Sequence, residues 1–480
     1  MYQFSKNLKL TAFGLIIVGL LGIGYGFYSA PKTVEEAKAM VAHSGDHGND
    51  HGTAHGDDHG DTKKDAHKDA THNDAHAKDS HAKDGHATEG HEDEHGEHLL
   101  HQMQNRPWSA FYVALFFFLG ISLLVLAFYA AQRVAKAGWS IVLFRVMEAI
   151  TANLVPTSII MLIVIILSVM HYNHLFVWMT EGTFTPGHEN YDPIVDGKSW
   201  WINTPGWVIR GIIYLALWNA YRWFIRRNSI AEDTANDNYK THKLNYNVSV
   251  VFLVVFMLTE SMMTWDWIMG IDPHWFSTLF GWYVLASLLV SALTVIAFVT
   301  IYLRSKGFLP QVNDSHIHDL AKFMFGFSVF WTYLWFAQFM LIWYANIPEE
   351  GTYYVARFTE YKLPFLAMVV MNFAFPVLLL INSDFKSRPW FVFIGGIVIL
   401  AGHYLDVFIM VMPGTVGSSW GFGIPELGAL LFFIGIFIYT VFSAFAKADP
   451  VAKGNPMLGE SKHFHYYNIE HTGEGADDHH

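Results

Sequence analysis

The sequence predicts an all-α integral membrane protein of about ten transmembrane helices with both termini in the cytoplasm, and three observations carry that prediction. Hydrophobic residues make up 52% of the 480 positions and charged residues only 15%, against about 25% charged in an average soluble domain. Apolar runs of about eighteen residues or more, the length that crosses a bilayer, alternate with short polar turns from Trp108 onward. Lysine and arginine collect in every second turn, the pattern of the positive-inside rule. The chain then divides into an N-terminal anchor at 1–30, a linker at 31–106, a helical bundle at 107–446 and a cytoplasmic tail at 447–480.

Leu8 to Phe27 is apolar over a spanning length and follows Lys6 and Lys9. A cleaved signal peptide is the competing reading. Cleavage after Ala30 would place Tyr28 two residues upstream and Pro31 just beyond the cut, both poor for processing, so a retained anchor is expected. His43 to His101 follows as a low-complexity tract holding fifteen acids and five lysines, most of the chain's formal charge of -12. It lacks the apolar residues that build a core and reads as a disordered, non-cytoplasmic linker. Its histidines at His43, His47, His51, His55 and His59 suit weak, nonspecific binding of zinc, copper or nickel, while a plain solvated spacer is the simpler reading.

Spans are expected at 108–131, 154–178, 207–225, 248–270, 275–303, 321–345, 363–381, 390–411 and 425–445, ten with the anchor. With the N-terminus inside, eighteen of the 30 lysines and arginines fall in cytoplasmic segments, from Lys6 and Lys9 through Arg222, Arg226 and Arg227 to Lys447, Lys453 and Lys462. The histidine tract, the 180–206 loop and the corner Asp272 to Trp275 then face outward. At the corner Asp272 is expected to cap the next helix, with Pro273 at its first position.

Polar side chains inside the spans carry the functional argument. An Asp at the centre of a membrane helix costs roughly 2.5–3.5 kcal/mol on insertion scales, and one that is present usually faces a protein interior or a proton path. Glu260 lies well inside the 248–270 span with no helix end to serve, and Asp266 stands nearer its exit. His403 and Asp406, three residues apart, share a helical face, where a carboxylate orients an imidazole or trades a proton with it. Tyr333 and Gln338 either line an interior path or tie helices together. Glu148, beside Arg145, stands at the inner start of the 154–178 span as an entry point or an interfacial pair, and His171 and His174 lie toward its outer end. Glu349 and Glu350 fit a solvated outer loop. The absence of cysteine excludes iron-sulfur clusters and thioether-linked haem from this chain.

Three stretches bring a family into view: Asp266-Trp267-Ile268-Met269, then Asp272-Pro273-His274-Trp275-Phe276-Ser277-Thr278, then Gln338 with Leu341-Ile342-Trp343-Tyr344-Ala345-Asn346-Ile347-Pro348-Glu349-Glu350. In this order they resemble the signature stretches of the NrfD/PsrC-like membrane subunits of alternative complex III, a bacterial assembly that passes electrons from quinol to cytochrome c or directly to an oxidase. The resemblance covers about Trp108 to Phe445. Quinol-reacting members of this kind carry His-Leu-Gly-Arg/Lys-Pro at the end of the third span, where this chain has His171-Tyr172-Asn173-His174-Leu175-Phe176. That departure, with the extra anchor and histidine tract, makes the chain similar to the ActF-type subunit rather than its quinol-oxidising sibling ActC.

The resemblance implies a multi-pass subunit of the bacterial inner membrane, packed against ActC, with the quinol bound in that sibling. It also implies iron-sulfur and multihaem cytochrome c subunits on the outer side, carrying the iron-sulfur clusters and haem c, and a terminal oxidase as a further neighbour. No redox cofactor and no nucleic-acid partner are expected for this chain, which is not catalytic alone. The expected function is to support the oxidoreductase and to conduct protons along Glu260, Asp266, His403 and Asp406, aided by Tyr333 and Gln338, with Glu148 and His171 as further candidates. Buried carboxyls resist ionisation, which suits proton carriage near neutral pH. A quinone-binding subunit proper, a purely structural anchor and a metal-related transporter stay open as alternatives.

Overall fold

The computed structural model describes residues 2–45, 87–234 and 238–466. No strand occurs among them, and nine of their helices are long and apolar enough to cross a membrane. In chain order the α-helices are α1 (Lys6–Ser29), α2 (Val34–Gly45), α3 (Ala87–Val134), α4 (Phe144–Ile150), α5 (Leu154–Val169), α6 (Pro193–Asp196), α7 (Thr204–Glu232), α8 (Asn238–Trp267), α9 (Phe280–Ser305), α10 (Asp314–Ala345), α11 (Pro348–Thr359), α12 (Lys362–Val369), α13 (Phe375–Leu380), α14 (Ser383–Ser387), α15 (Pro389–Val416), α16 (Ile424–Phe445) and α17 (Leu458–Lys462). The protein is a multi-pass, all-helical membrane protein.

Residues 30–104 form one compact unit, and α1 with the bundle forms the other. In the first, α2 starts at a Thr-x-x-Glu signal: the Thr33 hydroxyl accepts the Glu36 amide at 3.3 Å, and the Glu36 carboxylate accepts the Lys32 amide at 2.8 Å. The stretch read as a disordered linker is thus helical at both described ends, through α2 and the first turns of α3. His47, His51, His55 and His59 lie outside the described residues, as does the side chain of His43.

In the bundle, the apolar part of α3 is 94% buried and that of α9 83%. Helices apolar on every side need such surroundings. The apolar part of α1 is only 17% buried, and its contact with α16 runs through small residues. Ala12, Gly19, Gly22 and Gly26 are its buried positions. A Cβ on Gly22 would stand 2.8 Å from the Gly428 backbone, and one on Gly19 2.4 Å from that of Phe432. Between two apolar surfaces in lipid, close backbone approach and dispersion supply the attraction that water supplies elsewhere.

Four sequence expectations shift. The 207–225 segment lies in α7, a helix of 29 residues that is not among the nine apolar helices, because Arg210, Asn219 and Arg222 interrupt it. The segment expected at 154–178 begins earlier, at Gly138, and ends at Val169; Arg145 and Glu148 belong inside it because α7 neutralises them, and His171 and His174 fall in the loop beyond. The helix after the corner starts at Phe280 with Leu279 as its N-cap, so Asp272 caps nothing there. Glu349 and Glu350 occupy the first turn of α11 rather than a loop, where their charge suits the helix dipole.

The corner is tied down from the loop instead. His274 pairs with Asp192, the Lys198 ammonium donates to the Pro273 carbonyl at 2.6 Å, and Trp275 stacks on Tyr353 with ring centroids 3.9 Å apart. Partial burial works against the Asp192 charge, yet the Val195 and Ile194 amides and His274 hold its carboxyl below the usual range.

Replacing Gly428 by Leu should force α1 off α16 and cost about 1–3 kcal/mol, the usual range for overpacking. The thermal unfolding midpoint in detergent should fall, whereas Gly24→Leu, at a position facing open space, should leave it unchanged. Equal midpoints for the two variants would refute the packing argument.

Candidate functional site

Four buried polar constellations occupy the bundle. Glu260 and Asp266 share α8 but have different surroundings. Asp266 accepts two hydrogen bonds from the Arg210 guanidinium, at 2.7 and 2.8 Å, and a third from the Tyr214 hydroxyl at 2.9 Å. Arg210 also lies over the Trp201 ring at 4.2 Å. The adjoining backbone is held as firmly, with Trp207 Nε1 donating to the Asp266 carbonyl and the Tyr112 hydroxyl to the Trp267 carbonyl. Asp266 is thus a clamp between α7 and α8. Glu260 is 1% exposed. Its partners are hydroxyls, that of Thr264 at 3.5 Å and that of neighbouring Ser261, and it makes no ion pair among the described residues.

His403 and Asp406 lie on α15, both fully buried. Asp406 Oδ2 accepts from Ser287 Oγ at 2.7 Å and from Trp331 Nε1 at 2.8 Å, while the Tyr283 hydroxyl donates to Oδ1. Ser287 Oγ is also 3.0 Å from His403 Nδ1. A hydroxyl has one proton to give, and Ser287 gives it to Asp406. His403 Nδ1 must therefore carry the hydrogen and donate to Ser287, which leaves Nε2 as the ring's acceptor. That atom is buried without a partner among the described residues. Beside His403 on α15, Gly402 meets another helix closely: Val370–Ala374 form a single π-turn between α12 and α13, and Asn372 there presses so near that a Cβ on Gly402 would come within 2.1 Å of its Oδ1. Outward from Asp406, the rings of Tyr283, Phe280 and Trp275 follow one another at 5.8 and 5.3 Å, reaching the corner.

Glu148 forms the third constellation, with Arg145, Arg226, Ser229 and Tyr129. Beside it Arg145 reaches Asp233 at 2.5 Å, and Arg133 lies 3.7 Å from Glu232. The fourth is Gln338, buried on α10 with its Oε1 unpaired among the described residues. Tyr333, on the same helix, is 66% exposed and faces away from the interior. His171 sits exposed at the end of α5 with a φ of 58°.

The structure therefore joins His403 to Asp406, and shows no hydrogen bond among the described residues from either of them to Glu260, Asp266 or Glu148. α9 packs against both α8 and α15 and separates the two carboxyl sites. Arg210, Tyr283, Ser287 and Trp331 escaped the sequence reading. Arg210 had a signal, since a basic residue inside an apolar run needs a partner as much as Asp266 does. The other three are ordinary membrane-helix residues, and only packing reveals them. No group of three or more His, Asp or Glu side chains that could hold a metal ion occurs among the described residues. No family model and no curated protein matches the chain.

Removing one partner of a buried ion pair typically costs about 3–5 kcal/mol, whereas apolar replacement of both is often neutral. Arg210→Ala should therefore lower unfolding stability by that order, and the double change Arg210→Met with Asp266→Leu should recover most of it. A single variant as stable as the parent would remove Asp266 from the role of clamp.

Proposed function

We propose that this chain is an ActF-type, NrfD/PsrC-like membrane subunit of a respiratory quinol:acceptor oxidoreductase of the alternative complex III class. In this reading it lies in a bacterial inner membrane with both termini cytoplasmic. Its neighbours are the quinol-oxidising sibling ActC, iron-sulfur and multihaem cytochrome c subunits, and a terminal oxidase. The stretches at Asp266–Met269, Asp272–Thr278 and Gln338–Glu350 support the family reading. The observation that carries the mechanistic part is the His403–Ser287–Asp406–Tyr283 chain.

A proton arriving at His403 Nε2 allows the Nδ1 proton to pass to Ser287, whose own proton moves to Asp406. Every transfer follows an existing hydrogen bond, and the ring then needs only to exchange its protons to reset. Tyr283 donates to the other carboxylate oxygen and holds Asp406 in place. Glu260, lacking a cation, is the second proton-carrying candidate, on the other side of α9. Asp266 and Glu148, saturated by guanidinium groups, act as structural ion pairs, and Tyr333 has no place in the route.

In the purified complex reconstituted into vesicles, Asp406→Asn and Glu260→Gln should each abolish most proton movement while quinol-driven electron transfer continues. Asparagine retains an acceptor toward Ser287 and Trp331, so the variant keeps the helix contacts. An unchanged proton yield in both variants would sink the route, and purification from native membranes without haem-bearing and iron-sulfur subunits would sink the assembly.

A further inference from the structure

At the inner end of the bundle the guanidiniums outnumber the carboxylates that face them. Glu148, Glu232 and Asp233 pair with Arg133, Arg145 and Arg226. Arg222, one turn before Arg226 on α7, makes no ion pair or hydrogen bond among the described residues, and its Nε is buried without a partner. It stands at the end of a groove of about 410 Å³ between α5 and α7.

The groove has two distinct parts. Ile159, Leu162 and Ile212 make its length apolar, and Ala216 leaves space in its floor. Beside Arg222 it becomes polar: the Asn219 amide donates to Ser158 Oγ at 2.8 Å, and its Oδ1 is buried with no partner. An apolar trough ending in a guanidinium with no direct ion pair and an acceptor with no hydrogen bond, both among the described residues, matches an amphiphile with an anionic head. A membrane helix packed there would leave the guanidinium uncompensated, at the cost of burying an unpaired charge. A soluble anion would leave the trough exposed.

We propose that the groove between α5 and α7 binds one anionic phospholipid, with an acyl chain along the apolar part, the phosphate on Arg222, and a headgroup hydroxyl donating to Asn219 Oδ1. Under the orientation proposed above, the lipid belongs to the cytoplasmic leaflet, but its binding does not depend on that orientation. A basic side chain near the surface attracts anionic lipid with a strength equivalent to about fivefold in affinity.

The test uses the full chain, purified and delipidated in detergent, with phosphatidylglycerol or phosphatidylcholine added and bound lipid counted by native mass spectrometry. One phosphatidylglycerol should be retained, with phosphatidylcholine bound at least about fivefold more weakly. Arg222→Gln should remove that preference without changing the unfolding midpoint. Ala216→Trp, which fills the trough and leaves Arg222 in place, should reduce retention of both lipids and keeps the test decisive if the first variant unfolds. Equal retention of the two lipids by the parent, unaltered binding in both variants, or displacement by inorganic phosphate would overturn the proposal. So would a photoreactive residue at position 216 that captures a protein subunit of the native complex instead of lipid.

Discussion

The carboxyl of Asp406 accepts hydrogen bonds from Tyr283 and Ser287 on α9 and from Trp331 on α10, and through it three helices are fixed in rotation as well as in distance. Packing between membrane helices is driven largely by dispersion, which tolerates several registers. Directional donors converging on one fully buried carboxyl tolerate a single register. The Asp266 clamp does the same for α7 and α8, and the Glu148 network binds the C-terminal half of α7 to α4 and, through Arg226, to the Ala444 carbonyl of α16. Much of the bundle's geometry thus follows from where charged groups found partners.

The chemistry of those partners separates the ion-paired carboxyls from those proposed to carry protons. Asp266 and Glu148 face guanidinium groups, which have no proton to yield and take none up. Asp406 faces two hydroxyls and an indole, and one of the hydroxyls is shared with an imidazole that has a free nitrogen. Only the second environment offers a continuous series of groups able both to give and to receive. Glu260, beside the hydroxyls of Thr264 and Ser261, belongs to neither class by its bonds and is set apart by having no cation paired with it among the described residues.

The helical class and most of the spans were legible in the sequence because length and apolarity alone define a membrane helix. The pairing of His403 with Asp406 was legible because three residues separate them on one helix. Their cross-helix partners were not, since nothing in the pattern of α9 distinguishes Tyr283 and Ser287 from neighbours that face elsewhere. The same gap produced the errors at Tyr333, which shares a helix with Gln338 but not a face, and at Asp272, where Asp-Pro looked like a helix start. In α7, hydropathy and charge pulled apart: Arg210 and Arg226, which lower its apolarity, are the residues that pair with Asp266 and Glu148.

The glycine-lined seat of α1 bears on how the bundle is assembled. α1 precedes the bundle in the chain, yet its Gly19 and Gly22 fit backbone supplied by Gly428 and Phe432 of α16, the last long apolar helix. Until α16 is in place, α1 can only wait in lipid. Closure then joins two helices far apart in the sequence, a non-local contact that is slow to form. A lesion confined to α16 would be felt first as an anchor helix adrift in the bilayer.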